Sequence, residues 1–347
     1  MDKSGEVVTA ATPAFLPRSS QEGSANEDAS SSGASRIDLA RWITSPEQPQ
    51  TSRVLANRLW YLYFGEGLSP NLDDSGSQGT PPVAPELLDW LAAEIVESGW
   101  DLKRTIRLIV TSRAYRMSSV PTSESFARDP GNVYFGRQHR FRLSAEFIRD
   151  TALKVSGLLN EDLGGPSSRP YQPAGYYSHL NFPKRTYTSD TDERQFRRGV
   201  YVHWQRQFLH PMLRAFDAPT REECTAGRPR SNTPLAALTL LNDPTFVEAA
   251  RGLAELAIQD GPGETDKRVA WIWNRVLNRS PDEVELAILT GLYERTASQV
   301  AESSAESEKI LTIGIQPVAD SVNAQELATW MAVARAILNL NETVTRN

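Results

Sequence analysis

The sequence predicts a mainly α-helical protein: a compact multi-helix domain with an irregular, loop-rich middle and little or no strand. Two observations carry this. Apolar residues recur at helical spacing through residues 36–119 and again through 234–347, and capping residues bracket the runs. Between them, over residues 120–233, the period fails and Pro, Tyr, Gly and Arg accumulate. The chain has 347 residues, enough for one large domain. Residues 36–347 are therefore read as one domain. The stretch before them, residues 1–35, is read as a disordered linker. Ser19 to Ser35 is almost entirely Ser, Ala, Gly, Glu, Asn and Asp, with little to bury.

The elements follow in order. Leu55, Leu59 and Leu62 predict one face of a helix that Ser52 can cap and Gly65 can end. Asn57 and Arg58 lie inside it. Asn is a poor helix former, so Asn57 predicts a polar contact with another segment. A loop from Gly67 to Pro82 follows, with Asn71, Asp73, Asp74, Ser75 and Ser77. Its twelfth position from Asn71 is Pro82, not Glu, so it fails as a calcium loop and reads as a capped turn. Pro85 opens the next helix, with Leu87, Leu88, Leu91 and Ile95 inward, and Gly99 closes it. Trp90 is expected in the core beside Leu91. Asp101 caps a third helix whose stripe is Leu102, Ile106, Ile109 and Val110.

In the middle, Ser144 to about Ser156 reads as a helix with Phe147 on its apolar stripe. Arg142, Glu146, Arg149 and Asp150 have the spacing of an ion-pair ladder along it. Paired carboxylates at Glu146 and Asp150 are the acid/base alternative. The alternation Val200, Val202, Trp204 suggests a short strand. From Pro234, strong start signals return. Thr233-Pro234 and Asp243-Pro244 each set a cap before a first-turn proline. Ser280 with Glu283 and Asn323 with Glu326 read as capping pairs. Leu327, Trp330, Met331, Ala334, Ile337 and Leu338 form one buried stripe.

Composition excludes several function classes. The single cysteine, Cys224, rules out an internal disulfide, a haem-attaching Cys-x-x-Cys-His and a cysteine zinc cluster. His139, His179, His203 and His210 show no metal-ligand spacing, so no metal and no cofactor are expected. No apolar run is long enough to span a membrane, and the first residues lack a signal core. Taken as written, the chain reads as cytoplasmic. The net charge of −6 argues against nucleic acid. Charge is uneven, however. Arg137 to Arg230 holds sixteen basic and ten acidic residues, a net +6, which leaves −12 elsewhere.

The densest polar segment runs from Phe216-Asp217-Ala218-Pro219 to Leu241-Asn242-Asp243-Pro244. Loops of this kind carry sites. The candidate binding residues are Asp217, Arg221, Arg228, Arg230, Asn232, Thr233 and Asp243. Guanidinium forks grip carboxylate, sulfate or phosphate bidentately. A helix starting at Pro234 would add amide donors and a favourable dipole. The structural alternative pairs the same arginines with Asp217, Glu222 and Glu223. No catalytic residue is identifiable, and Cys224 has no evident base.

Together these segments resemble a planctomycete domain of unknown function, the PSD-type domain (domain of unknown function fifteen fifty-three). The resemblance rests on Asn57-Arg58-Leu59-Trp60, Pro85-Glu86-Leu87-Leu88-Asp89-Trp90-Leu91, Arg142-Leu143-Ser144-Ala145-Glu146 and Gly164-Gly165-Pro166. Phe216-Asp217-Ala218-Pro219, Arg230-Ser231-Asn232-Thr233-Pro234-Leu235 and Leu240-Leu241-Asn242-Asp243-Pro244 continue it. In that family the domain usually follows cytochrome-c-like domains in exported proteins. The resemblance therefore implies a cytochrome-c-like partner, and a periplasmic or cell-surface location if the start is truncated. It transfers no catalytic residue. The leading expectation is an accessory domain that binds a partner or an anionic ligand through the Arg-rich loop. The alternatives are a hydrolase-like enzyme built on Asp217, Arg221, Arg230, Asn232 and Asp243, or a structural partner of an electron-transfer domain.

Overall fold

A computed structural model describes residues 12–13, 15–17, 35–179, 184–206, 208–303 and 309–346. The expected disorder of residues 1–35 therefore falls almost wholly outside the described residues. The chain gathers into two compact units, Met1–His139 and Arg140–Asn347. Helices dominate both, and among the described residues the sheet is a single two-stranded antiparallel pair.

The first unit holds α1 (Arg36–Ile43), α2 (Pro49–Phe64), α3 (Pro85–Glu97), α4 (Leu102–Thr111) and α5 (Ser123–Arg128). Its core is Ala56, Leu59, Trp60, Phe64, Leu88, Leu91, Ile95, Ile109 and Phe135. Trp60 stacks on Phe64 at 4.1 Å, and Phe135 meets both rings edge-on. Such pairs add to plain area burial. Gln48, not Ser52, caps α2, because Pro49 starts the helix one turn earlier and Ser52 lies buried inside it. Gly65 ends α2 in the left-handed region, as predicted. Trp90 is 53% exposed, and Leu62 and Leu102 are exposed as well. The buried stripe of α3 is Leu88, Leu91, Ala92 and Ile95. Trp90 stands two residues, about 200°, from Leu88. Leu62 is likewise two residues from both Trp60 and Phe64.

The predicted contact of Asn57 is present. Its Nδ2 donates to the Ser69 carbonyl and its Oδ1 accepts from the Ser69 amide, both at 2.9 Å. One buried side-chain amide thus ties the 67–82 loop to α2 as a strand neighbour would. In that loop Asp74 Oδ1 accepts from the Gly76 amide at 2.8 Å, a side-chain-capped turn.

The second unit contains β1 (Phe141–Arg142), α6 (Ala145–Val155), α7 (Pro211–Ala215), α8 (Pro234–Asn242), α9 (Pro244–Gln259), α10 (Thr265–Leu277) and α11 (Glu283–Glu302). It ends with α12 (Ala324–Leu338), α13 (Asn341–Val344) and β2 (Thr345–Arg346). At its centre α9 lies against α12. Ala250, Ala254 and Ala257 let α9 approach closely, and Leu327, Trp330, Val333, Ala334 and Ile337 of α12 are buried. The predicted stripe of α12, Leu338 included, is therefore the core. A second cluster joins Ile148 and Ala152 of α6 to Met212, Leu213, Phe216 and Phe246.

Caps explain the helix starts. Thr233, Asp243 and Asn323 each accept a first-turn amide, as predicted. At α11 the capping box is Asp282 with Glu285, two residues past the predicted Ser280 with Glu283. Phe147 is exposed because the buried stripe of α6 runs through Ala145, Ile148, Arg149 and Ala152.

The described residues between 158 and 210 have little regular structure. The stretch expected as a strand is a 3-10 turn at Gly199–Tyr201, with one parallel bridge between Ser168 and Val202. Buried arginines satisfy the backbone instead. The Arg197 guanidinium, stacked 3.9 Å over Tyr201, donates to the Asp162, Gly164 and Pro166 carbonyls. It thereby folds the Gly164-Gly165-Pro166 turn around itself. Arg149 is fully buried and donates to the Gln195 carbonyl and to Thr245 Oγ1.

Candidate functional site

The sequence-predicted residues are placed by the β1–β2 pair and by α8. Phe141 pairs with Arg346 and Arg142 with Thr345. Arg142 reaches across to the Arg-rich loop. Its Nη2 donates to Asp217 Oδ2 at 2.5 Å and to the Phe216 carbonyl at 3.2 Å. Asp217 also accepts from the amide and hydroxyl of Ser231, at 2.8 and 2.7 Å. One carboxylate, in a residue with φ of 58°, therefore ties both ends of the loop to β1. Burial lowers the Arg142 pKa, Asp217 opposes that shift, and Arg230 adds to it.

Three of the loop's cations have distinct settings. Arg230 lies 4.5 Å over the Phe141 ring, and Arg346 lies 5.7 Å from the same ring. Arg221 lies 3.7 Å over Trp204, whose Nε1 donates to the Thr220 carbonyl at 3.3 Å. Arg228 donates to both oxygens of Glu146, at 3.0 and 2.8 Å. Asn232 Nδ2 donates to Asn341 Oδ1 at 3.3 Å, and Thr233 caps α8.

Asp217, Arg228, Arg230 and Asn232 thus gather on β1, β2 and the segments beside them. Arg221 sits at Trp204. Asp243 caps α9 at the far end of α8, about 14 Å away at 1.5 Å per residue. Burial raises the Asp243 pKa, against bonds from Thr245 and the charge of Arg149.

The predicted ladder on α6 is absent. Glu146 pairs with Arg228 and Arg142 with Asp217. Asp150 accepts from the Gly199 amide at 2.6 Å, and burial raises its pKa. Each member bonds to a segment distant in sequence: Arg142 and Glu146 pair with side chains of the Arg-rich loop, and Arg149 and Asp150 satisfy backbone groups of the irregular chain.

Sequence reasoning missed a buried polar cluster. Glu248, on α9, is fully buried and accepts from the Ile315 and Gln316 amides at 2.8 Å, the Tyr171 hydroxyl at 2.7 Å and Arg251 at 3.4 Å. Gly314 sits at φ 102°, and a Cβ there would meet the Glu248 carboxylate at 2.1 Å. Only glycine fits. His210 Nε2 donates to the Tyr171 carbonyl at 2.8 Å. Burial pulls its pKa down to about 4, so the ring is neutral at pH 7. Burial raises the Tyr171 and Tyr187 hydroxyls above their ordinary value. The one signal in the sequence was the odd concentration of Tyr, Arg and His outside any helical period.

Among the described residues, no group of three or more His, Cys, Asp or Glu side chains gathers as a metal-ligand set. No described helix is long and apolar enough to cross a membrane. A family model, PSD1, protein of unknown function (DUF1553), matches residues 35–293. No curated protein and no solved structure matches the chain. The chain belongs to the PSD1 (DUF1553) family.

Proposed function

We propose that this member of the PSD1 family is a binding module, which engages an anionic group of a ligand or of a partner's surface through the loop from Asp217 to Asn232. The observation that supports this reading is the pose of Arg230, Arg346 and Arg221 on aromatic rings. Stacking holds a guanidinium by its face and fixes the direction of its N–H edge. An anion meeting such an edge costs less side-chain entropy than one meeting a mobile lysine. Asp217, through Arg142 and Ser231, holds the loop in the shape that presents these groups. The partner implied by the family resemblance, a cytochrome-c-like domain, would meet the loop through an acidic face.

The test is thermal unfolding of the full chain in inorganic sulfate and then in phosphate, at constant ionic strength. At tenfold excess over Kd, either anion should stabilise by about 1.4 kcal/mol. Arg230→Ala should abolish that gain with the circular dichroism spectrum unchanged. A gain that survives Arg230→Ala undiminished would assign the anion effect elsewhere.

A further inference from the structure

A second site is built where α11 and α12 run along each other. Ala328, Met331, Ala332 and Arg335 recur at i, i+3, i+4 and i+7, so they share one face of α12. Thr296 and Val300 face them from α11, and Ile310 stands at the side. Because Ala328 and Ala332 are too small to fill the space between the helices, an open groove of about 470 Å³ remains.

Arg335 is the cation of this groove. It is half-buried, and its Nη2 donates to the Leu241 carbonyl at 2.5 Å. Its Nε is buried without a hydrogen-bond partner. No carboxylate among the described residues pairs with it, and burial alone moves its pKa, downward. Arg149 and Arg197 likewise bond to carbonyls and not to a carboxylate, but Arg335 is the one that lines this groove. A desolvated cation without a counter-charge is costly. A ligand carboxylate would remove the cost with a charge-assisted bond. Val300, Ile310, Ala328 and Met331 supply the apolar part of the lining, and Thr296, Gln299 and Ser303 a polar part. Glu302, exposed at the rim, disfavours a second negative group. We propose that this groove binds a monocarboxylate bearing a short apolar chain, its head group on Arg335 and its tail between α11 and α12.

The probe is octanoate, titrated calorimetrically into the full-length chain. Saturation is expected, with acetate and 1-octanol at least tenfold weaker, since each supplies only the head or only the tail. Arg335→Gln should weaken octanoate at least tenfold. Ala332→Leu fills the groove, leaves the Leu241 bond in place and should weaken octanoate as strongly. It carries the test alone if Arg335→Gln does not fold. Arg230→Ala should leave octanoate binding unchanged, which separates this groove from the Arg-rich loop. Three results would overturn the proposal: no saturable octanoate binding, binding that Ala332→Leu leaves unchanged, or a concentration-dependent dimer that Ala332→Leu abolishes.

Discussion

Two regions of the second unit are held together by different physics. Around α9 and α12 the contacts are apolar: Ala250, Leu253 and Ala254 against Trp330, Val333 and Ile337. Across residues 158–233 apolar period is scarce, and arginines bonded to backbone carbonyls take its place. Arg149 serves Gln195, Arg197 serves three carbonyls and Arg142 serves Phe216. Arg251, on α9, does the same for Leu311 and Gln316. Several of these cations satisfy peptide oxygens that no ladder reaches. A helix meets its own backbone needs and asks its neighbours only for apolar area. An irregular segment has no internal ladder, so buried side chains must complete it.

The comparison can be broken most sharply at α12. Trp330 is 1% exposed, so Trp330→Ala should cost ~3–5 kcal/mol in urea unfolding. A midpoint near wild type would mean that the helical layer is not what holds the unit. The next effect is electrostatic and belongs to the irregular region. His210 has a folded pKa of about 4, below the 6.5 expected of the unfolded chain. The folded state therefore binds fewer protons over that window. Its stability contribution is complete above pH 6.5 and is lost as pH falls toward 4, by about 3 kcal/mol. Asp150 and Asp243, whose pKa values are raised, act with the opposite sign. The measurement is therefore the difference between wild type and His210→Gln across pH 4–7. Equal slopes would exclude His210 as the source.

The smallest of these effects concerns a carbonyl. Arg149→Met keeps volume but leaves the Gln195 carbonyl and Thr245 without their donor, at about 2 kcal/mol. The loss should show first as faster proteolysis near Gln195, with α9 and α12 still protected from hydrogen exchange. Uniform loss of protection in both regions would show that they unfold as one cooperative unit.

What the sequence determined by itself is what depends on near neighbours in the chain. Period placed the stripes of α3 and α12, and residue type placed the caps at Thr233, Asp243 and Asn323, because each acts within one or two helical turns. Asn57 was legible as a misfit, since its helix position disfavours it. The tertiary structure decided which partners distant residues meet. Glu146 and Arg228 are 82 residues apart, and Tyr171 and Glu248 are 77 apart. No spacing rule reaches that far, so Arg142 and three charged residues on α6 resembled a local ladder and proved to be four separate attachments. Exposure was also decided there: Trp90 and Leu91 are adjacent and chemically alike, and only the rotation of α3 against the core puts one in water and the other inside.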